Sequence, residues 1–80
     1  MPDAWVYLPR CRDRSLYTGW TVDLERRLDR HRSGTASRYT ASRLPIELEF
    51  ALPMPSRTAA RREEARIKRL TLAAKLAVLR

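Results

Sequence analysis

The spacing of apolar and polar positions changes several times along the chain, and each change marks an element. Residues 4–10 (Ala-Trp-Val-Tyr-Leu-Pro-Arg) are rich in aromatic and β-branched side chains, which suit a pleated surface, and predict a first strand. Pro9 marks that strand as an edge strand or as one that is ending. After a polar turn at Arg12-Asp13-Arg14-Ser15, strand composition resumes at Leu16-Tyr17-Thr18-Gly19-Trp20. Residues 5–20 therefore read as a β-hairpin, with Tyr7 facing Tyr17 across it. Gly19 interrupts the pattern, as a strand glycine does at a bulge or where another group approaches the backbone closely.

Leu24 and Leu28 stand at i, i+4 behind a cap at Thr21 or Asp23 and before the stop Ser33-Gly34, which predicts a first helix running to about Arg32. Residues 35–44 are small, polar and basic, and read as a surface loop. Ile46-Glu47-Leu48-Glu49-Phe50 alternates with period two, the signature of a strand with one buried face, and Pro53 and Pro55 should end it. Ser56 or Thr58 opens a second helix with a narrow apolar stripe of Ala59, Ala60, Ile67 and Leu70. Thr71 should break it, and Leu72, Leu76 and Leu79 predict a short third helix closing the core. The order β, β, α, β, α, α implies an α+β fold with helices on a small sheet.

Length allows one core. Eighty residues, 44% of them apolar and ten of them alanine, make a single domain over residues 1–80 of modest stability. Cys11 and His31 are the only residues of their kinds, which excludes a disulfide framework and a finger- or ribbon-type zinc site, and fits a reduced, cytoplasmic compartment. The longest apolar runs, 4–8 and 76–79, are far short of a membrane span, and no signal-like segment opens the chain. The net charge of +8, with 15 of 17 basic residues being Arg, points to a polyanionic partner, since the guanidinium fork matches phosphate oxygens in pairs. Five units of that charge fall in residues 58–80.

Some of these residues could carry chemistry. Arg27 and His31 lie one helical turn apart and flank the Leu24/Leu28 stripe, so they can line the edge of a cleft beside Tyr7, Tyr17 and Gly19. Glu64 falls on the Ala60/Ile67 stripe, where a carboxylate needs a partner or a metal. Taken singly, each has an ordinary reading: strand tyrosines pack, Arg27 pairs with Asp23 on a solvated face, and Glu64 pairs with Arg61 or Lys68. Arg38, Tyr39 and Arg43 make a basic stretch with an interleaved aromatic, suited to gripping phosphate and stacking a base.

Taken together, Tyr7, Tyr17-Thr18-Gly19, Asp23-Leu24-Glu25-Arg26-Arg27, His31, and Glu64 followed by Lys68 resemble the GIY-YIG nuclease family in order and spacing over nearly the whole chain. Ser37-Arg38-Tyr39-Thr40, Arg43 with Pro45-Ile46-Glu47-Leu48, and Lys68-Arg69-Leu70-Thr71 are similar to the small stand-alone bacterial members of the YhbQ type. The N-terminal nuclease domain of UvrC is a more distant likeness. The resemblance implies a three-stranded antiparallel sheet with flanking helices, and hydrolysis of DNA phosphodiesters with Mg²⁺ or Mn²⁺. It further implies Glu64 as metal ligand, Arg27 on the scissile phosphate, and Tyr7 or Tyr17 as base with His31 assisting or orienting. Arg38, Tyr39, Arg43 and Lys68 would contact the nucleic acid.

Two departures stand out. The Gly-Ile of the first motif is Trp5-Val6, and the second motif reads Tyr-Thr-Gly. The chain also contains neither Asn nor Gln, one of which some relatives carry in the site, and many relatives add a separate recognition domain. Nonspecific or structure-selective cutting in DNA repair or processing is therefore expected, with a protein partner as one source of specificity and the oligomeric state left open. The alternative is a basic nucleic-acid-binding module that keeps the fold without turnover.

Overall fold

A computed structural model describes residues 2–79, the side chain of Val78 excepted. The first strand, β1 (Ala4–Arg10), is the central one, which overturns the edge reading of Pro9, and it ends one residue beyond that proline, in line with the other reading. It pairs antiparallel with β2 (Gly19–Thr21) on one side and β3 (Glu47–Met54) on the other. Proline has no N–H to give a ladder, so a central strand accepts it only where the ladder is already broken. That is its setting here: the register against β3 shifts between Leu8 and Pro9, and regular pairing with β2 stops at Tyr7↔Gly19.

The register corrects the hairpin reading in one respect. Tyr7 stands opposite Gly19, not Tyr17, whose N–H instead donates to the Pro9 carbonyl at 3.1 Å. The second strand is also shorter than composition suggests, with one isolated bridge, Arg10↔Leu16, ahead of it. β3 runs on through Pro53, which pairs with Trp5. It is an edge strand, and its unpaired side has no need of the missing N–H.

Side-chain oxygens start the helices. The Asp23 carboxylate accepts from the Arg26 N–H at the start of α1 (Leu24–Arg32), and Gly34, at φ +79°, turns the chain away beyond its end. Residues 38–41, read as loop, form a single helical turn, α2 (Arg38–Ala41), capped by Ser37. One turn is too short for hydrophobic periodicity to register. Ser56 caps α3 (Arg57–Lys68), and the Thr71 hydroxyl accepts from the Ala74 N–H at the start of α4 (Leu72–Leu79). The observed order is thus β-β-α-α-β-α-α, an α+β fold built on a three-stranded antiparallel sheet.

Strand alternation divides the work of β1 between two faces. Ala4, Val6 and Leu8 join Leu16, Ala60 and Ile67 in the core, with Trp20, Phe50, Leu52, Met54, Leu76 and Leu79 packed around them. Leu72, expected to help close this core, is instead exposed. Tyr7 points to the opposite face, where it meets α1 through His31.

Candidate active site

Tyr7 is 1% exposed, and the absence of a side chain across the strand pair is what admits it. A Cβ on Gly19 would lie 2.7 Å from the Tyr7 hydroxyl oxygen and 2.8 Å from Cζ, so the tyrosine ring occupies the space a larger residue would fill. The ring crosses the β2 backbone and its hydroxyl comes within 2.7 Å of His31 Nε2. His31 sits in the last turn of α1, buried, with Nδ1 2.8 Å from Thr40 Oγ1. Thr40 is buried in turn and its hydroxyl lies 2.8 Å from Ser37 Oγ. The rings of Tyr7 and Tyr17 both pack on the imidazole with centroids 5.4 Å away. A continuous polar chain thus runs Tyr7, His31, Thr40, Ser37, roofed by Tyr17.

Burial sets the charge state of this chain. It pushes the Tyr7 phenol up to about 12, against the opposing pull of the Arg27 guanidinium, with Tyr17 and the Glu64 carboxylate adding to the rise. Burial also pushes His31 down to about 4, and the positive charge of Arg27 acts in the same direction. Both groups are therefore neutral at pH 7. The His31 shift has a consequence for stability. An unfolded histidine takes up a proton near pH 6.5, whereas the folded site resists until about 4, so the unfolded state binds more protons between these values. Stability should fall as the pH is lowered through that window, by a total on the order of 2–3 kcal/mol. Urea unfolding at pH 7, 6, 5 and 4 measures this, and a His31→Gln variant should show a flatter dependence; an equal slope in both proteins would refute the assignment.

Glu64 occupies the position between Ala60 and Ile67 on α3 and is half-buried. Its neighbour Glu63 pairs with Arg66, yet among the described residues Glu64 forms no ion pair, although Arg61 and Lys68 stand at i−3 and i+4. Its charge is felt at the Tyr7 hydroxyl. No group of three or more His, Cys, Asp or Glu side chains gathers among the described residues. A single available carboxylate, with water and phosphate oxygens completing the shell, fits a hard, strongly hydrated cation such as Mg²⁺ or Mn²⁺ and does not fit a structural zinc.

Tyr7, Tyr17 and His31, from β1, the segment before β2 and α1, are thus packed together, and the charges of Arg27 on α1 and Glu64 on α3 act on Tyr7. The residues expected to touch nucleic acid are placed differently. Tyr39 lies with its ring 5.9 Å from that of Tyr17, its hydroxyl donating to Ser15 Oγ at 2.7 Å. Arg43 covers the Tyr39 ring at 3.8 Å while its Nε donates to Asp13 at 2.9 Å, so both side chains are engaged within the protein. Arg38 and Lys68 are exposed and, among the described residues, form no ion pair. Sequence reasoning missed Thr40 and Ser37 as part of the site. Both stand in the Ser37-Arg38-Tyr39-Thr40 stretch that resembles the small family members, but their Ser-x-x-Thr spacing also occurs at ordinary helix caps and did not mark them as site residues. Thr18 is a further surprise: its buried hydroxyl has no hydrogen-bond partner among the described residues.

The same arrangement of elements recurs in known proteins. The family model described as the GIY-YIG catalytic domain matches residues 3–77. A UPF0213 protein of Streptococcus sanguinis is 43% identical over 77 residues, covering 96% of this chain and 88% of that one. One from Xanthomonas axonopodis pv. citri is 46% identical over 74 residues, covering 92% of this chain and 72% of its own. The solution structure of a UPF0213 protein from Bacillus halodurans superposes with a TM-score of 0.61 at 37% identity, covering 94% of this chain and 80% of that one. A solution structure from E. faecalis gives 0.62 at 32% identity, covering 98% and 88%. In sequence along nearly its whole length and in fold, the chain belongs to the GIY-YIG catalytic domain family, a family of nucleases.

Proposed function

We propose that this chain is a metal-dependent endonuclease that hydrolyses DNA phosphodiester bonds, nonspecifically or by substrate shape, in DNA repair or processing in the cytoplasm. The observation that carries this reading is the meeting of a buried Tyr7–His31 hydrogen bond, the Arg27 guanidinium and the unpaired Glu64 carboxylate in one place. Arg27 is half-buried and offers its donors to the scissile phosphate, where they offset charge building on the phosphoryl oxygens. As the water oxygen bonds to phosphorus and the bond to the leaving 3′ oxygen breaks, Tyr7 Oη accepts the water's proton and passes its own to His31 Nε2. This transfer spares the site a free phenolate, which burial opposes, and places the charge on His31, where the bound phosphate's negative charge would offset the opposition of burial and Arg27. Tyr17 holds the imidazole from its other side. Glu64 would hold Mg²⁺ or Mn²⁺, which when bound supplies Lewis acidity at the phosphate and charge balance for the leaving oxygen.

Exposed Arg38 and Lys68 extend the phosphate-binding surface, whereas Tyr39 and Arg43 must first release their contacts if they are to reach the nucleic acid. Asn and Gln, the side chains that read adenine by two hydrogen bonds, are absent from the 80 residues. Specificity would accordingly come from DNA shape or from a protein partner. The test is a labelled panel of duplex, single-stranded, flapped and branched DNA, incubated with Mg²⁺ or Mn²⁺ and then with a chelator. Cleavage that needs the ion supports the reading. Binding across the panel without cleavage under any condition would replace it with a nucleic-acid-binding module.

A further inference from the structure

We infer that Thr40, backed by Ser37, holds His31 in its Nδ1–H tautomer and so aims the free Nε2 lone pair at the Tyr7 hydroxyl, which makes Thr40 a positioning residue for the proton transfer. The role in catalysis rests on the nuclease reading above; the tautomer does not. A neutral imidazole has one donor and one acceptor nitrogen, and both nitrogens of His31 are hydrogen-bonded inside the protein, to Tyr7 at 2.7 Å and to Thr40 at 2.8 Å. Two assignments are possible in principle, and the surroundings choose between them.

The Tyr7 side is the first constraint. Its hydroxyl is buried, and among the described residues His31 Nε2 is the atom that hydrogen-bonds to it. The nearby Arg27 guanidinium carries hydrogens only, so it can occupy a lone pair of Oη but cannot receive the phenolic proton. If Nε2 carried the ring proton, the Tyr7 hydrogen would have no acceptor in the protein. With Nε2 free, the phenol donates to it and every group is satisfied.

The Thr40 side accommodates the same answer. α2 is one turn long, and its Ser37 cap accepts from the Thr40 N–H at 3.2 Å. The Thr40 hydroxyl hydrogen has two acceptors in Ser37, Oγ at 2.8 Å and the carbonyl oxygen at 3.4 Å. Turned back toward Ser37, it leaves an oxygen lone pair for His31 Nδ1–H. The chain then runs in one direction, from Tyr7 O–H to Nε2 and from Nδ1–H through Thr40 to Ser37. When the phenolic proton moves to Nε2, the imidazolium formed keeps both of its hydrogens bonded, Nε2–H to Tyr7 and Nδ1–H to Thr40. The opposite tautomer offers Tyr7 a hydrogen and cannot take one.

His31 is the only histidine, so the test is direct. The full chain, labelled with ¹⁵N-histidine and free of nucleic acid and metal, is examined at pH 7 by long-range ¹H–¹⁵N correlation. The proton is expected on Nδ1. Thr40→Val should shift the population toward the Nε2–H form, and Thr40→Ser should restore the wild-type pattern; amide spectra confirm that each variant is folded. In cleavage assays Thr40→Val should lower kcat by about 10²-fold with KM little changed, the scale of losing a positioned acid–base group, and Thr40→Ser should recover most of the loss. A proton on Nε2 in the wild type overturns the inference, as does a folded Thr40→Val with unchanged tautomer. Should Thr40→Val fail to fold, the wild-type spectrum and Ser37→Ala decide. A chain that cleaves no DNA but carries Nδ1–H would sink the nuclease reading and uphold the tautomer.

Discussion

Glu64→Ala is expected to reduce cleavage by about 10²–10³-fold or more while DNA binding persists or tightens. The magnitude follows from the proposed role: Glu64, which among the described residues forms no ion pair, would hold the divalent cation, and its removal would take away the charge compensation at the phosphate. The direction of the side effects makes the result diagnostic. The Glu64 charge raises the Tyr7 pKa, so its removal makes the phenol easier to ionise, and a loss of activity cannot then come from a proton held more tightly on Tyr7. Removing a negative charge from the surface proposed to meet phosphates also favours binding. Stability should change by no more than about 0.5 kcal/mol, because the side chain is half-exposed and, among the described residues, breaks no ion pair on leaving. Gel-based cleavage, binding by fluorescence anisotropy and urea unfolding on the same preparation separate these effects. Cleavage undiminished in Glu64→Ala would remove the metal role from this residue.

Gly19→Ala should be the most damaging single-methyl change in the protein. The added Cβ would fall 2.7 Å from the Tyr7 hydroxyl oxygen, 2.8 Å from Cζ and 3.0 Å from Cε1, closer than such atoms approach one another. Tyr7 cannot swing aside cheaply, since it is buried and bonded to His31. Either the ring or the β1–β2 pairing must shift, at a cost of about 1–3 kcal/mol. In both cases the Tyr7–His31 bond lengthens, and kcat should fall even in the fraction that remains folded. Gly34→Ala provides the comparison. At φ +79° a side chain there is strained by about 1 kcal/mol, but its Cβ would meet only ordinary contacts, with Leu44 at 3.6 Å and Ala41 at 3.9 Å. It should lower stability and leave the activity of the folded protein intact. Equal kcat in Gly19→Ala and wild type would show that the close approach of Tyr7 has no bearing on turnover.

Much of the architecture was legible before any coordinates, because the periodic segments are well punctuated. The helix starting at Leu24 is announced by Asp23 and closed by Ser33-Gly34, and the one after Ser56 by its cap and the Ala60/Ile67 stripe. β1 was placed at its observed residues by composition alone. The prolines are mixed signals. Pro9 marks a strand that is ending, since β1 stops at Arg10, but not an edge, since β1 is central. Of Pro53 and Pro55, the first lies within the edge strand β3 while the second follows its end at Met54. Proline reports only that an N–H is not needed at that point, and whether this comes from a bulge, an edge or an end is a property of the neighbours. α2 escaped notice because a single turn is held by a cap and by tertiary contacts rather than by a repeating apolar face.

The candidate site divides in the same way. Residue types and spacing drew attention to Tyr7, Tyr17, Arg27, His31 and Glu64, and the resemblance to the GIY-YIG family in order and spacing implied their roles. Helical spacing also put Arg27 and His31 on one face of α1. The sequence by itself therefore determined the element types, the basic character and the candidate chemical groups, because these depend on local spacing and on side-chain identity. Only the tertiary structure decided that Tyr7 pairs with Gly19, that Glu64 stands apart from Arg61 and Lys68, that Arg43 is committed to Asp13 and Tyr39, and that Thr40 stands behind His31. Those relations are set by strand register and by the docking of helices on the two faces of the sheet, where a shift of one residue would exchange the groups that meet.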